Sequence, residues 1–156
     1  MKRGESATSA SDSLICVDAS VVVKWLLPEI DRDRALVLHE DVPLRGGVVI
    51  APAHVLAEVS SAIYERVRNG GIVLEDALRL MDDAQALPVL AMSPPGLSRR
   101  AVEIAARFEL KWIYDAFYVA LADIVGCDLW TADAALHEAV RGAHPNVHLL
   151  SEYPLS

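Results

Sequence analysis

The sequence predicts an α/β fold, a three-layer α/β/α sandwich around a mostly parallel central sheet of four to five strands. The first observation behind this prediction is that short apolar runs of strand length alternate with longer segments whose apolar residues recur at helical spacing. The second is that the alternation continues through residues 14–150 without an internal repeat or a linker. Such alternation is typical of a parallel sheet covered by helices on both faces, with right-handed crossovers.

The size and composition of the chain predict one domain. A chain of 156 residues, 53% of them hydrophobic, is long enough to bury a sizeable core. We expect residues 14–156 to form this domain, and residues 1–13, which are small and polar, to be a disordered lead. Charged residues interrupt every apolar stretch before it reaches the ~20 residues of a membrane-spanning helix. We therefore expect a soluble protein without membrane contact.

The two cysteines, Cys16 and Cys127, both fall inside predicted strands, where a small thiol packs as a hydrophobic side chain. Two buried thiols favour a reducing compartment over a disulfide scaffold, so we expect a cytoplasmic location. They are too few for a zinc site, and the histidines show no ligand spacing alongside them.

The formal net charge of −8 argues against a protein that holds nucleic acid by overall attraction. Affinity for phosphates normally depends on clustered Lys and Arg side chains. Acids that converge on divalent metal ions would nevertheless be neutralised locally. A basic pair such as Arg66 with Arg68, or Arg107 with Lys111, could then still guide a nucleic-acid backbone.

Each predicted strand is a short apolar run that ends at a turn residue or an acid. The first run begins at Leu14 and stops at Asp18, and the second is closed by Pro52. The predicted strands cover residues 14–17, 48–51, 89–92, 127–131 and 147–150.

The predicted helices follow from apolar periodicity and from start and stop signals. Ser20 is a suitable N-cap for the first helix, and Pro28 stops it. The sequence Asn69-Gly70-Gly71 ends the long helix that begins at Ala53. The predicted helices cover residues 21–27, a more exposed segment around 35–38, then 53–68, 74–87, 98–109, 111–125 and 134–140.

Two helices carry specific predictions about their buried faces. In the fourth helix we expect Ala77, Leu78 and Met81 to point inward and Asp82 and Asp83 to be solvated. In the helix before Gly126, the predicted buried stripe consists of Ile113, Phe117, Leu121 and Ile124.

Four acids share a placement at one edge of the predicted sheet. Asp18 and Asp133 lie just past strand ends, Asp115 lies in the first turn of a helix, and Glu58 belongs to a helix that begins at a strand end. Ligands of open α/β sheets gather outside the carboxyl ends of the strands. Clustered carboxylates repel one another and raise one another's pKa, so such a cluster normally exists to bind cations. Oxygen ligands without His or Cys favour Mg²⁺ or Mn²⁺.

The chemistry expected of this site is metal-assisted phosphodiester hydrolysis, since a bound Mg²⁺ activates a water and neutralises charge on the phosphate. We expect Asp18 and Asp115 to hold the first metal ion, and Asp133 to complete that site or a second one. Glu58 would orient the attacking water. Ser20 and Thr131 could add hydroxyl contacts to the substrate.

Each of these residues also has a purely structural interpretation. An isolated Asp after a strand is more often a cap or turn residue than a ligand, and Asp18 could simply cap the next helix. Ser20 is more often a cap, and Thr131 more often a plain strand residue, than a substrate contact. We expect Trp112 and Tyr118 in the core or at an interface, not as base-stacking platforms.

Other acids are placed less well for such a site. Asp123 is eight residues beyond Asp115, which is ~12 Å along a helix at ~1.5 Å per residue. Asp128 begins its strand and so faces the opposite edge of the sheet. Glu65, two turns beyond Glu58 on the same helix face, stays open as a rival site residue.

The acids lie in four segments, V-D-A-S-V-V-V-K-W-L, A-P-A-H-V-L-A-E-V, Y-D-A-F-Y-V-A-L-A and W-T-A-D-A-A-L. Together these segments resemble the PIN-domain family, and most closely its VapC-type toxins, over nearly the whole chain. The resemblance implies an endoribonuclease that depends on Mg²⁺ or Mn²⁺. It also implies a homodimeric toxin of a type II toxin–antitoxin module, silenced by a cognate antitoxin whose tail occupies the active-site groove. The family's acidic residues map onto Asp18, Glu58, Asp115 and Asp133.

One position departs from the family pattern. Members often carry Asn three residues after the helical Glu, and here that position is Ser61. The shorter Ser side chain can hold fewer of the local hydrogen bonds in place than Asn. We expect this difference to affect the residues around the metal site more than the metal ligands themselves.

Two other functions stay open at this point. A phosphatase or receiver-like phosphoryl-transfer protein would carry a covalently phosphorylated Asp, but the usual phosphatase pattern has a second acid where this chain has Ser20. A non-catalytic RNA- or protein-binding module would bind its partner without cutting it.

Overall fold

The structure is a computed structural model that describes residues 13–155. Five strands form one fully parallel sheet in the order β3-β2-β1-β4-β5, flanked by helices. The predicted α/β class and the mostly parallel sheet of four to five strands are therefore confirmed. The predicted disordered lead, residues 1–13, lies outside the described residues apart from Ser13. The strands are β1 (Leu14–Val17), β2 (Val48–Pro52), β3 (Val89–Met92), β4 (Asp128–Thr131) and β5 (Val147–Leu149).

Strand β1 lies at the centre of the sheet, between β2 and β4. Ile15 is the register partner of Val49 on one side and of Asp128 on the other. Because both faces of a central parallel strand are covered, an apolar run suits it, and Cys16 and Val17 are fully buried.

Seven α-helices connect and cover the strands in the described part of the chain. Their bounds agree with the predicted ones to within a few residues, apart from α2, which extends well beyond the predicted segment at 35–38. They are α1 (Ala19–Leu26), α2 (Arg32–Leu44), α3 (Val55–Arg68), α4 (Leu74–Ala86), α5 (Leu97–Arg107), α6 (Ile113–Val125) and α7 (Ala134–Val140), followed after β5 by a short 3-10 helix (Leu150–Glu152).

The N-cap of α1 is Asp18, so the prediction that Ser20 caps this helix was wrong. Asp18 has an extended backbone, and its side chain accepts a hydrogen bond from the backbone N–H of Val21 at 3.4 Å. Asp and Ser stabilise the N-cap position about equally well. Asp18 comes first after the strand, and the helix begins directly after it. Asp18 is therefore the single residue between β1 and α1.

Two predictions about burial were also wrong, and one residue was assigned to a strand that does not contain it. Leu78 is 57% exposed, because α4 packs through the small residues Ala77 and Ala84. Ile124 is 41% exposed, because it lies in the last turn of α6, beyond the part of the helix that the sheet covers. Cys127 is buried but precedes β4 instead of belonging to it.

Helix α6 is the element that carries Asp115 to the sheet. It contacts β1, β2 and β4, and its small residues Ala116 and Ala120 are fully buried. Gly126 ends the helix in the left-handed conformation at φ 77°, which glycine adopts without strain, and the chain then enters β4. Helix α6 therefore runs back across the sheet, and its first turn lies at the edge where the parallel strands end.

No helix among residues 13–155 combines the length and the apolar character that crossing a membrane requires.

Candidate active site at the carboxyl ends of the strands

The topology brings the four predicted acids to one edge of the sheet. Asp18 directly follows β1, and Asp133 lies two residues after β4. Glu58 lies in the first turn of α3, which begins three residues after β2, and Asp115 lies in the first turn of α6. The charge of Asp133 raises the pKa of both Asp18 and Asp115, and the charge of Glu58 also raises the pKa of Asp115. Each of the four carboxylates is therefore close enough to repel at least one of the others.

Asp18 is held rigidly in a buried position. Its side chain is only 5% exposed, and its two oxygens accept hydrogen bonds from the hydroxyls of Ser20 and Thr131. Burial raises the pKa of Asp18 to about 6, and the nearby charge of Asp133 adds to the rise. The hydroxyl hydrogen bonds act in the opposite direction, because they favour the charged carboxylate.

The two hydroxyls also tie the end of β1 to the end of β4. The hydroxyl oxygen of Thr131 accepts the backbone N–H of Asp133 at 3.0 Å, and that of Ser20 accepts the backbone N–H of Ala132 at 3.0 Å. Thr131 is fully buried. In the structure both hydroxyls position Asp18, and their possible contact with the substrate stays a prediction. Ser20 still lines a small cavity of about 290 Å³ together with Asp133.

Asp133 is the residue that couples the strand ends to the next helix. Its Oδ1 accepts the backbone N–H of Leu136 at 3.0 Å and so caps α7. The cap engages one carboxylate oxygen and fixes the direction of the other.

Asp115 is only partly buried and faces a cleft. Partial burial raises its pKa to about 6, and repulsion from Asp133 and Glu58 adds to the rise, whereas His54 acts in the opposite direction. Within residues 13–155, Asp18, Asp115 and Asp133 form no ion pair with Lys, Arg or His. Three carboxylates thus lie near one another without an ion pair from the part of the chain that the structure describes.

Glu58 is held through a single oxygen. Tyr118 donates its hydroxyl to Oε1 of Glu58 at 2.7 Å, and Nε2 of His54 lies 2.8 Å from the same oxygen. The His54 contact has the distance of an ion pair but not the angle of a hydrogen bond, and Nε2 has no other partner among the described residues. The second oxygen, Oε2, is not engaged by either neighbour.

The sequence analysis missed His54 as a member of the site. The imidazole packs against the rings of Tyr114, Phe117 and Tyr118 at centroid distances of 5.2–5.3 Å. Its spacing of four residues before Glu58 was the available signal, because residues four apart are neighbours on a helix surface. Tyr118 was predicted in the core and is indeed almost fully buried, but its hydroxyl reaches the site.

A cleft of about 490 Å³ opens beside Glu58 and Asp115. Trp112 is 58% exposed, so it does not belong to the core, one of the two locations predicted for it. Tyr114 is 52% exposed. The cleft is lined by His54, Ala57, Glu58, Ser61, Trp112, Tyr114 and Asp115.

Acids that the sequence analysis set aside lie elsewhere or are paired. Asp123 and Asp128 line a cavity at the start of the strands, at the opposite edge of the sheet. Asp123 binds Arg100 and His144 at 2.9 and 3.0 Å. Asp128 contacts His148, and Glu65, the rival to Glu58, pairs with Arg68 on the exposed surface of α3.

The arrangement of the oxygen donors limits how they could hold a cation. No three His, Cys, Asp or Glu side chains within residues 13–155 converge tightly enough to cage an ion. Mg²⁺ does not need such a cage, because it keeps several waters and is usually held by one or two carboxylates together with substrate phosphates. Oxygen donors that repel one another and lack a counter-cation fit this kind of open site.

Comparisons with known proteins identify the family of the chain. A family model described as the PIN domain matches residues 15–142. The chain is 32% identical over 139 residues to Ribonuclease VapC3 of Mycobacterium tuberculosis, covering 89% of this chain and 96% of the relative. It is 30% identical over 132 residues to Ribonuclease VapC9 of the same organism, covering 85% and 95%.

Two solved structures share the fold. The crystal structure of PAE2754 from Pyrobaculum aerophilum superimposes with a TM-score of 0.63 at 20% identity, covering 88% of this chain and 90% of that one. Mycobacterium tuberculosis VapC20, described as a Sarcin-Ricin loop cleaving toxin, superimposes with a TM-score of 0.59 at 21% identity, covering 80% and 94%.

Proposed function

This chain belongs to the PIN domain family, within its VapC-type branch, and from that premise we propose that it is a metal-dependent endoribonuclease. The observation that carries the proposal is the group of three carboxylates, Asp18, Asp115 and Asp133, in which Asp133 repels the other two and none forms an ion pair within the described residues. Leaving such charges uncompensated is unfavourable unless a cation binds there. The names of the relatives supply the substrate class, which is RNA.

Asp18, Asp115 and Asp133 are the residues that would hold Mg²⁺ or Mn²⁺. When bound, the ion lowers the pKa of a coordinated water and offsets the negative charge of the phosphodiester under attack. The chain itself contributes the placement of the oxygens. Ser20 and Thr131 fix the direction of both oxygens of Asp18, and the α7 cap fixes Asp133.

Glu58 is the residue that would orient the attacking water. Tyr118 and His54 occupy Oε1, so Oε2 is the oxygen that can accept a hydrogen bond from the water and take its proton. Because two neighbours hold Glu58, its carboxylate needs little rearrangement when the substrate arrives.

The wider role proposed here follows the VapC relatives. We propose that residues 14–156 act as one nuclease domain and that the protein is the toxin of a type II toxin–antitoxin module. In this role it would work in the cytoplasm as a homodimer and be silenced by a cognate antitoxin whose tail occupies the groove beside the acids. Mg²⁺ or Mn²⁺ would be the cofactor and RNA the substrate.

A phosphoryl-transfer function is less compatible with the environment of Asp18. A phosphorylated Asp needs an oxygen that a phosphodonor can reach, whereas both oxygens of Asp18 accept hydroxyl hydrogen bonds in a buried position. A small radiolabelled phosphodonor distinguishes the two functions, since the nuclease leaves no label on the protein.

The central experiment is incubation of the protein with a mixture of structured and unstructured RNAs in Mg²⁺, in Mn²⁺ and in excess chelator, followed by sequencing of the RNA ends. We expect defined new ends with either metal and none with chelator. Asp115→Asn should abolish the ends, whereas Asp128→Asn, at the opposite edge of the sheet, should leave them unchanged. RNA that is shifted in a gel but never cut would instead identify a binding module.

A further inference from the structure

The first turn of α6 exposes aromatic surface beside the acids. Among residues 13–155, the aromatic side chains that stand out as exposed are Tyr64, Trp112 and Tyr114. Two of these three, Trp112 and Tyr114, line the cleft that also contains Glu58 and Asp115. The aromatic surface and the carboxylates therefore belong to one continuous depression.

Trp112 does not stabilise the helix it precedes. It occupies the N-cap position of α6 with an extended backbone, and its side chain makes no capping hydrogen bond. Ser, Thr, Asp and Asn are the residues that stabilise this position. A solvated indole in place of a cap gives up helix stability and leaves a large apolar surface in water. We therefore expect a ligand to cover the indole ring of Trp112.

The charges around the cleft restrict what that ligand can be. The chain carries a net charge of −8, so general electrostatic attraction cannot hold a phosphate backbone. Near the acids, Lys24 and Arg66 are both bound to Glu29, at 3.1 and 2.6 Å. Lys111 is the cation beside the aromatic surface, with its ammonium 5.2 Å from the centroid of the Trp112 ring. Affinity for a nucleic acid must therefore come largely from contacts that do not depend on charge.

We propose that Trp112 and Tyr114 form a stacking site for an unpaired nucleobase of the RNA substrate, adjacent to the phosphodiester that is cut. Aromatic rings bind unpaired bases by stacking, and this interaction tolerates different sequences. Lys111 covers part of the indole and contributes a single phosphate contact. The substrate class is then single-stranded RNA or a loop whose base can leave the stack. This inference rests on the proposed ribonuclease function.

The test compares cleavage kinetics of the full chain on matched short RNAs that are single-stranded, fully duplex, or single-stranded with one abasic nucleotide beside the cleaved bond. Trp112→Leu should raise KM on the order of tenfold, the effect of losing one stacked base, with kcat nearly unchanged. Trp112→Phe should recover most of the loss. Tyr64→Leu, which removes an exposed aromatic ring outside the cleft lining, should leave both constants unchanged.

The abasic RNA makes the test specific for stacking. With the wild-type protein, the abasic RNA should raise KM about as much as Trp112→Leu does on the intact RNA. The Trp112→Leu variant should show no further rise in KM on the abasic RNA. An equal KM for wild type and Trp112→Leu would overturn the inference while leaving the ribonuclease function intact, and so would equally fast cleavage of the duplex. Failure of the wild type to cut any RNA in Mg²⁺ or Mn²⁺ would overturn the function itself.

A second copy of the chain is the competing occupant of the aromatic surface. Sedimentation of wild type and Trp112→Leu without RNA separates the two cases. We expect the same oligomeric state for both proteins. Dissociation caused by Trp112→Leu would assign the surface to a protomer interface and overturn the stacking site.

Discussion

Tyr118 donates a hydrogen bond of 2.7 Å to Oε1 of Glu58, although the two residues are 60 positions apart in the sequence. The bond joins α6, which carries Asp115, to α3, which carries Glu58. Glu58 lies in the first turn of α3, and Tyr118 lies in the second turn of α6, one turn beyond Asp115. One buried phenol therefore helps to set the separation between the proposed water-orienting residue and a proposed metal ligand.

Replacing Tyr118 with Phe should lower kcat for RNA cleavage with little change in KM, because Glu58 loses a fixed orientation but the cleft keeps its shape. Loss of this hydrogen bond to a charged group should also lower the free energy of unfolding by about 1–3 kcal/mol. Kinetics on a short RNA and urea denaturation measure the two effects. Tyr153→Phe is the matched control, because it removes a 2.9 Å hydrogen bond to Asp41, which lies outside the acid cluster, and should cost stability alone.

Replacing His54 with Ala should reduce kcat more than His54→Gln does. Gln retains a polar group that can reach Oε1 of Glu58, whereas Ala removes both this contact and the packing against Tyr114, Phe117 and Tyr118. Comparison of kcat and KM for the two variants, with circular dichroism to verify folding, checks this. Equal activity of wild type and His54→Ala would exclude a role for the imidazole in positioning Glu58.

Asp18→Asn should make the stability of the metal-free protein less dependent on pH. Folded Asp18 keeps its proton up to about pH 6, whereas an unfolded Asp releases it near the ordinary pKa of 3.8. Between these values the folded state binds more protons, so the stability of the wild type falls as the pH rises through this window. The variant lacks this effect, so its stability relative to wild type should grow by roughly 2 kcal/mol between pH 4 and pH 7.

Thermal denaturation of both proteins in chelator at several pH values measures that difference. Saturating Mg²⁺ should reduce it at pH 7, because only the wild type retains the full set of carboxylates that binds the ion. A difference that stays constant between pH 4 and pH 7 would contradict the raised pKa of Asp18.

Removal of a proposed ligand should weaken Mn²⁺ binding on the order of tenfold or more. Isothermal titration of Asp115→Asn with Mn²⁺ tests this directly, without any RNA. Asp128→Asn has the same chemistry at the opposite edge of the sheet and should bind Mn²⁺ like the wild type. Equal affinity of all three proteins would remove Asp115 from the metal site.

Thr131→Val should move the onset of metal binding to higher pH. The hydroxyl of Thr131 favours the charged form of Asp18, so its loss raises the pKa of that carboxyl further and lets protons compete better with the cation. Mn²⁺ titrations across pH 5–8 measure the onset. Thr131→Ser keeps the hydroxyl and should behave like the wild type.

The placement of Asp18, Glu58, Asp115 and Asp133 at one edge could be predicted because it depends on topology alone. A residue that follows a parallel strand, or that starts a helix at the same edge, is placed by the order of the elements. The contact of His54 and Tyr118 with Glu58 could not be predicted in this way. It depends on the distance and rotation between α3 and α6, which periodicity does not encode.

Apolar character alone also misplaced some side chains. Ile124 follows the helical pattern of α6, and Trp112 was expected in the core or at an interface, yet both are exposed, Trp112 before the first turn and Ile124 in the last. The pattern defines a face of a helix, but the length of that face in contact with the sheet depends on where the strands end. Along α6, burial was therefore predicted better in the middle of the helix than near its ends.

The central position of β1 has a consequence for biosynthesis. Asp18 is made early, but its partner Thr131 and its neighbour Asp133 come from the last quarter of the chain, after every element of the sheet except β5 has been translated. A nascent polypeptide or a prematurely terminated product thus lacks the full set of acids, whatever part of it has folded. An enzyme that degrades RNA would in this way stay harmless to the ribosome and message that produce it until translation is nearly complete.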